Sequence, residues 1–392
     1  MQPDLSTDSA AAPPLAGLRV LDLSRVLAGP LCTMVLGDLG ADVLKVERPG
    51  SGDETRHWGP PWVTGEERRE SAYYLCANRN KRSITADLNS LEGQRLVTRL
   101  ARSADVLVEN FAPGTLERWG LGFDSLSRGN ERLVFCSISG YGSDGEDAGR
   151  PGYDFAVQAR SGWMAVTGEV DGAPVKVGVA IVDVLTGQNA AIGILAALRE
   201  RERSGRGQRV EVALMDSALA GLVNVAQAAL AGSEPRRYGN AHATIVPYQA
   251  FDASDRTLVI AVGNDAQWRR LCTALDLDTL ADDERFLTNP LRVEHRDEIT
   301  TLLATRVRDR TAGEWLALLE EAGIPCAPVQ SVGEALLDPV LRDRGGIWSM
   351  KGPGGPVETV ASPIRLSRTP ANLRRPAPGL GEHDNSVAAD GW

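Results

Sequence analysis

Residues 137–142 read SISGYG, residues 151–168 read PGYDFAVQARSGWMAVTG, and residues 174–187 read PVKVGVAIVDVLTG. Val175, Val177, Val179 and Ile181 alternate with other residues, which predicts a strand. A long helix is predicted from Asp183 to Arg203, with Ile192, Leu195 and Leu198 near one face and glycines at 205 and 207 to end it. Asp183 stands at this strand-to-helix junction. A carboxylate there is first of all a helix cap, its oxygen accepting an N–H from the opening turn. Asp154 has the same reading, because it follows the Pro151-Gly152 turn and a helix is predicted from Phe155. Local pattern leaves cap and chemistry both open for each.

Outward from that junction the chain alternates strands and helices. Residues 18–23 form an apolar strand, Ala28-Gly29-Pro30 a small-residue turn with Pro at a first-turn position, and Leu31, Met34, Val35 and Leu39 a helix. Gly40 stops it, and residues 42–46 form the next strand. Such a turn suits a nucleotide at the helix N-terminus, but it is no G-x-G-x-x-G, so a nicotinamide fingerprint is rejected. Strands follow at 83–88, 105–108, 133–138 and 208–214, with helices at 90–102 and 215–231. The fold class is α/β. The strand end before Asn110-Phe111 is where open α/β sheets place ligands.

Composition shifts at 232–237, a domain boundary. Residues 238–251 read as irregular and 257–262 as a strand. Helices are predicted from Asp265, over 292–306 and over 312–321, the last opened by a Thr311–Glu314 capping box. Residues 324–329 read as a strand or linker returning to the first domain. The expected plan is a tail at 1–15 without order, a large domain at 16–231, a small domain at 232–326, and a linker and return at 327–392.

The 392 residues carry a formal net charge of −10, which argues against a general nucleic-acid or membrane-surface binder. An anionic ligand would then need a local basic pocket, and Arg79, Lys81 and Arg82 are candidates for one. The five cysteines are widely spaced and lack C-x-x-C, so neither a disulfide framework nor a metal site is expected. The N-terminus lacks a basic segment followed by an apolar one, and no apolar run reaches the ~20 residues of a membrane span. The expected compartment is the cytoplasm.

SRVLAGP at 24–30, GDLGADVLKVERPGSGDETR at 37–56, NRNKRS at 78–83, ENFAPG with LER at 109–118, SISGYG, GYDF, VGVAIVDVLTG and the closing LGEH at 380–383 occur in this order. Together they resemble the class III CoA-transferases, the CaiB/BaiF or formyl-CoA/carnitine-CoA type. The resemblance implies a large Rossmann-like domain built from both chain ends, a smaller inserted α+β domain, and an interlocked homodimer. It implies acyl-CoA and a carboxylic acid as substrates, without metal, nicotinamide or ATP. Asp183 matches the acyl-accepting nucleophile. CoA contacts are implied for Val26, Leu27, Ala28 and Arg48; for Ala86, Asp87, Leu88 and Asn89; for Asn110, Phe111, Ala112 and Arg118; and for Pro151, Gly152, Tyr153 and Asp154. Leu27 departs from a polar Gln found in some relatives, and Asp384 replaces a Thr.

A carboxylate nucleophile suits CoA exchange between acids, through an acyl-aspartyl anhydride and an aspartyl-CoA thioester. The chemistry asks for an ionised Asp, which a helix N-terminus favours, and for N–H donors to an oxyanion, for which the amides of residues 140–142 are candidates. A 2-methylacyl-CoA racemase shares the resemblance, but its GHD motif is GYD here. A CoA-binding protein without catalysis is the third reading. GNAHATIVPYQAF at 239–251 and TNPLRVEHRDEI at 288–299 most resemble succinyl-CoA:glutarate transferases. A dicarboxylate acceptor would need a cation, with Arg79, Arg237, His242 and Arg292 as candidates.

Overall fold

The computed structural model describes residues 12–64, 69–352 and 355–392, which form two compact units. One holds residues 12–163, 176–232 and 339–392, the other 164–175 and 233–338. The small unit therefore runs twelve residues past the expected boundary at 326 and also takes in 164–175. The expected tail at 1–15 lies mostly outside the described residues. Its last part is tied down, since the Leu15 N–H donates to Leu39 O at 3.0 Å.

In the large unit six strands build one sheet: β1 (Arg19–Asp22), β2 (Asp42–Glu47), β3 (Lys81–Thr85), β4 (Val106–Glu109), β5 (Val134–Ser139) and β6 (Arg209–Ala213). Their order is β3-β2-β1-β4-β5-β6 and every pairing is parallel. This is the doubly wound order, with its reversal between β1 and β4. Alternate residues feed two cores: Val20, Val43 and Val106 on one face, Leu21, Leu44 and Leu107 on the other. Near-continuous apolar strands are the mark of a parallel sheet covered on both faces.

The helices are α1 (Ala28–Asp38), α2 (Leu91–Ala101), α3 (Asp154–Arg160), α4 (Ile181–Ser204), α5 (Leu214–Gly221) and α6 (Val223–Leu230). One helix was expected where α5 and α6 stand. The chain breaks after Gly221, a weak helix former, and Val223 takes a φ of 42°. The strand expected at 175–181 is absent: Val175 and Val179 are exposed and no neighbouring strand pairs with them. Alternation alone does not make a strand; pairing with a neighbour does.

The basic run at 79–82 serves the fold. Arg79 is buried and forks onto Asp38 at 2.7 and 3.0 Å, and also donates to Val360 O. Lys81 donates to Asp22, Pro30 O and Asn78 at 2.9–3.0 Å, and Arg82 pairs with Asp42 at 2.7 Å. None is left for a phosphate, which corrects the expectation. Asn80 accepts from the Arg374 and Arg375 amides and donates to Asn372 O. Farther along β3, Ser83 bonds His383, and Thr85 bonds Asp384, the residue standing in for Thr. The chain's last segment thus seals the outer edge of β3.

The small unit pairs β7 (Tyr248–Asp252), β8 (Thr257–Ala261) and β9 (Cys326–Pro328) antiparallel, in the order β9-β8-β7. β7 replaces the end of a stretch expected to be irregular, and β9 is a strand of this sheet rather than a returning linker. The sheet packs with α7 (Asp265–Ala274), α8 (Asn289–Glu294), α9 (Arg296–Val307) and α10 (Ala312–Glu321) around Trp268, Trp315 and Phe286. The Thr311–Glu314 capping box is present as expected. Arg292 is fully buried, donating to Val246 O, Phe286 O and Asp265 at 2.8–2.9 Å.

Candidate active site

The loops after β1 and β4 meet where the strand order reverses, and a cavity of about 260 Å³ opens there. Asp183 lines it, with Val26, Leu27 and Ala28 from the β1 loop and Asn110, Phe111 and Ala112 from the β4 turn. Pro151, Gly152 and Tyr153 form another wall. A second cavity of about 160 Å³ lies behind Phe111, which lines both, and collects Arg48 with Ala86, Asp87, Leu88 and Asn89. Six scattered segments of sequence thus converge at the carboxyl ends of the strands. Arg118 joins neither cavity and donates to Thr115 Oγ1. Asp154 is buried behind the wall rather than lining it.

That placement gives Asp154 its role. α4 starts at Ala180 without a side-chain cap, which leaves its opening amides without intrahelical partners. Asp154 Oδ1 accepts from Val182 N at 2.8 Å and Asp183 N at 3.4 Å, capping α4 from another helix. Its Oδ2 accepts from Gln158 Nε2 at 2.6 Å, and Gln158 Oε1 accepts the Val177 amide. The cap readings from sequence are corrected: α3 has Tyr153 at its N-cap with no side-chain cap bond, Asp183 lies inside the first turn of α4, and Asp154 caps α4 rather than its own helix.

Asp183 lies in the first turn of α4, where the helix dipole favours an anion. Burial, and then the neighbouring Asp154 carboxylate, push its pKa up from 3.8 to about 7. The helix N-terminus was expected to help keep this carboxylate ionised; desolvation and Asp154 act against it and raise its pKa. Tyr73, to which sequence reasoning gave no role, feels that charge: burial first, then Asp183, raise its phenol to about 12. It stacks edge-on with Trp58 at 5.2 Å. No local signal marks it, because 110 residues separate it from Asp183.

Close backbone contact shapes the wall. A Cβ on Gly152 would lie 2.7 Å from Gly140 Cα, so both positions need glycine. The Gly142 amide is already given to Ser139 Oγ at 3.0 Å, which removes it from the expected oxyanion donors. Leu27 stands at the N-cap of α1, which has no side-chain cap. Of the cations expected to hold a distal carboxylate, Arg79 and Arg292 are consumed by the buried pairs above. Arg237 donates to Glu169 O and Gly172 O, and His242 accepts the Thr244 amide. The cations on the Asp183 cavity are instead Arg25 and Arg150.

A doubly wound sheet with paired cavities at its switch point, one of them lined by a half-buried carboxylate in the first turn of a helix, is a ligand-binding α/β architecture. The chain belongs to CoA-transferase family III, whose model matches residues 15–384. It is 45% identical over 382 residues to succinate–glutarate CoA-transferase of Agrobacterium fabrum, covering 96% of each chain. It is 42% identical to succinyl-CoA:glutarate CoA-transferase of Mus musculus, over 97% of this chain and 87% of that one. Among solved structures, a CaiB/BaiF family protein from Brucella suis superposes with a TM-score of 0.88 at 43% identity, covering 97% of this chain and 100% of that one. The protein is a CoA-transferase that acts on CoA thioesters.

Proposed function

We propose that Asp183 is the nucleophile of a CoA transfer from succinyl-CoA to a dicarboxylate such as glutarate. The observation that carries this is the Asp183 carboxylate on the switch-point cavity, raised to about 7 by burial and by Asp154, in the helix turn whose opening amides Asp154 caps. An Asp Oδ attacks the thioester carbonyl, and the C–S bond breaks with its electron pair leaving on CoA sulfur. The thiolate attacks the Asp183 carbonyl of the resulting anhydride and releases succinate. The acceptor carboxylate attacks the aspartyl-CoA thioester and expels the thiolate, which takes the new acyl group and frees Asp183. A raised pKa makes the ionised carboxylate a better nucleophile.

The relatives' names support succinyl-CoA as donor and glutarate as acceptor. Arg25 is paired with Glu54 at 2.5 Å and stacked over Phe111. Arg150 shares its partner Asp147 with Arg160, so we assign the acceptor's distal carboxylate to Arg150. Transfer to monocarboxylates alone, or an unchanged acid preference in Arg150→Ala, would refute this assignment. None of the four histidines lines the Asp183 cavity, which disfavours a racemase that needs a His base there.

Exposed apolar side chains on the large unit, Ile192, Leu219, Val223 and Leu230, support a homodimer, for which the family resemblance suggests interlocked rings. A monomer mass by light scattering would overturn it. The decisive test of the reaction is trapping: incubation with succinyl-CoA followed by hydroxylamine or borohydride should modify the peptide carrying Asp183, as read by mass spectrometry. An unmodified peptide during turnover refutes the nucleophile.

A further inference from the structure

Val26 lines the Asp183 cavity with a backbone φ of 70°. A β-branched residue in the left-handed region is a genuine outlier, and such strain persists only where the surroundings over-determine it. The surroundings here are polar and buried. The Val26 N–H donates to both oxygens of Asp53, at 3.3 and 3.2 Å. Asp53 Oδ2 pairs with Lys45 Nζ at 3.0 Å, with neither side chain exposed. The same Lys45 ammonium donates to Ser24 O at 2.8 Å, two residues before Val26. Asp53 is itself anchored, since its Oδ1 accepts from the Thr55 amide and hydroxyl at 3.0 and 2.8 Å and its own N–H donates to Glu47. On the other side Asn110 clamps Arg25, accepting its N–H at 2.9 Å and donating to its carbonyl at 2.7 Å. The contacts that Lys45, Asp53 and Asn110 make to the chain here fall on Ser24, Arg25 and Val26, between β1 and α1.

We infer that Asp53, held by Lys45, is a positioning residue for acyl transfer: it fixes the amide of Val26 so that residues 26–28 present a strained, preset wall to the acyl-CoA opposite Asp183. This rests on the reading of the Asp183 cavity as the transfer site. The strain gives the inference a handle that a merely structural carboxylate would lack. Glycine adopts a φ of 70° without cost, so a Val26→Gly chain needs Asp53 far less to hold that conformation.

The experiment is a double-mutant cycle read in steady-state kinetics with succinyl-CoA and glutarate. Asp53→Asn keeps the shape and removes the charge that Lys45 holds. In the Val26 background it should lower kcat/KM for succinyl-CoA roughly 10- to 100-fold, with the loss concentrated in KM. In the Val26→Gly background the same substitution should lower it by less than about 3-fold. Equal losses in both backgrounds, or no loss in the Val26 background, would overturn the inference. Should Asp53→Asn fail to fold, Thr55→Val removes one anchor of Asp53, and a smaller loss cancelled by Val26→Gly is expected. Trapping at Asp183 separates the two levels: a labelled Asp183 with no coupling between 53 and 26 sinks this inference alone, whereas an unlabelled Asp183 sinks the reading beneath it.

Discussion

Asp183→Asn should abolish turnover and at the same time stabilise the protein, by an amount that depends on pH. The carboxyl ordinarily titrates near 3.8 and in this site near 7, because burial and Asp154 both disfavour its charge. Folded protein therefore holds that proton more tightly than unfolded chain does. The stabilisation tied to the proton is fully present below about pH 3.8 and is lost progressively as the pH climbs through about 7. The shift is about 3 units, and at 1.36 kcal/mol per unit the ionised group costs the fold ~4 kcal/mol above pH 8. Asparagine is isosteric and does not titrate, so the cost disappears with it. Calorimetric or urea unfolding of both proteins from pH 4 to 8 should show midpoints that nearly coincide at pH 4 and diverge steadily, with the variant higher, until the gap levels off above pH 7. A gap of constant size across that range, or a variant less stable than the parent at pH 8, would refute the electrostatic account of the site.

Asp154→Asn removes one of the two causes that raise Asp183, so the rising limb of kcat/KM against pH, expected near 7 in the parent, should move to lower pH. Maximal turnover should change little, since asparagine caps a helix about as well as aspartate; a limb that stays in place or moves up contradicts the assignment. Arg79→Ala breaks a buried ion pair and should cost ~3–5 kcal/mol of stability, yet leave CoA affinity unchanged by calorimetric titration. Lost CoA affinity in well-folded variant protein would restore the phosphate reading of that segment.

Much of this organisation is legible in the chain before any coordinates. The run from residue 18 to 47 announces its strand, small-residue turn, helix and strand through apolar spacing, and Thr311 with Glu314 announces α10. Those signals are local, and so are the forces behind them. What escaped was decided by partners far away in sequence. Val175, Val177 and Val179 alternate like a strand, but whether a sheet edge accepts them is a property of the whole unit. Arg79, Lys81 and Arg82 look free in sequence, yet Asp38, Asp22 and Asp42, some 40 to 60 residues earlier, claim them. The resemblance gathered most of the cavity residues, including Asn110 and Phe111. It gave no role to Lys45 and Asp53, although both lie inside the stretch at 37–56 that helps carry it, because their pairing is a matter of packing and charge.

The seal on β3 bears on how the protein is made. Asn80, Ser83 and Thr85 find partners among residues 372–384, nearly 300 positions downstream. A ribosome that has released the first half of the chain has thus exposed β3 with its outer backbone bare, and an unpaired strand edge invites pairing with other chains. Protection arrives only with residues 372–384, close to the end of the chain. Nascent chains stalled or truncated before 372 should therefore be aggregation-prone even though every strand of the central sheet has already been synthesised.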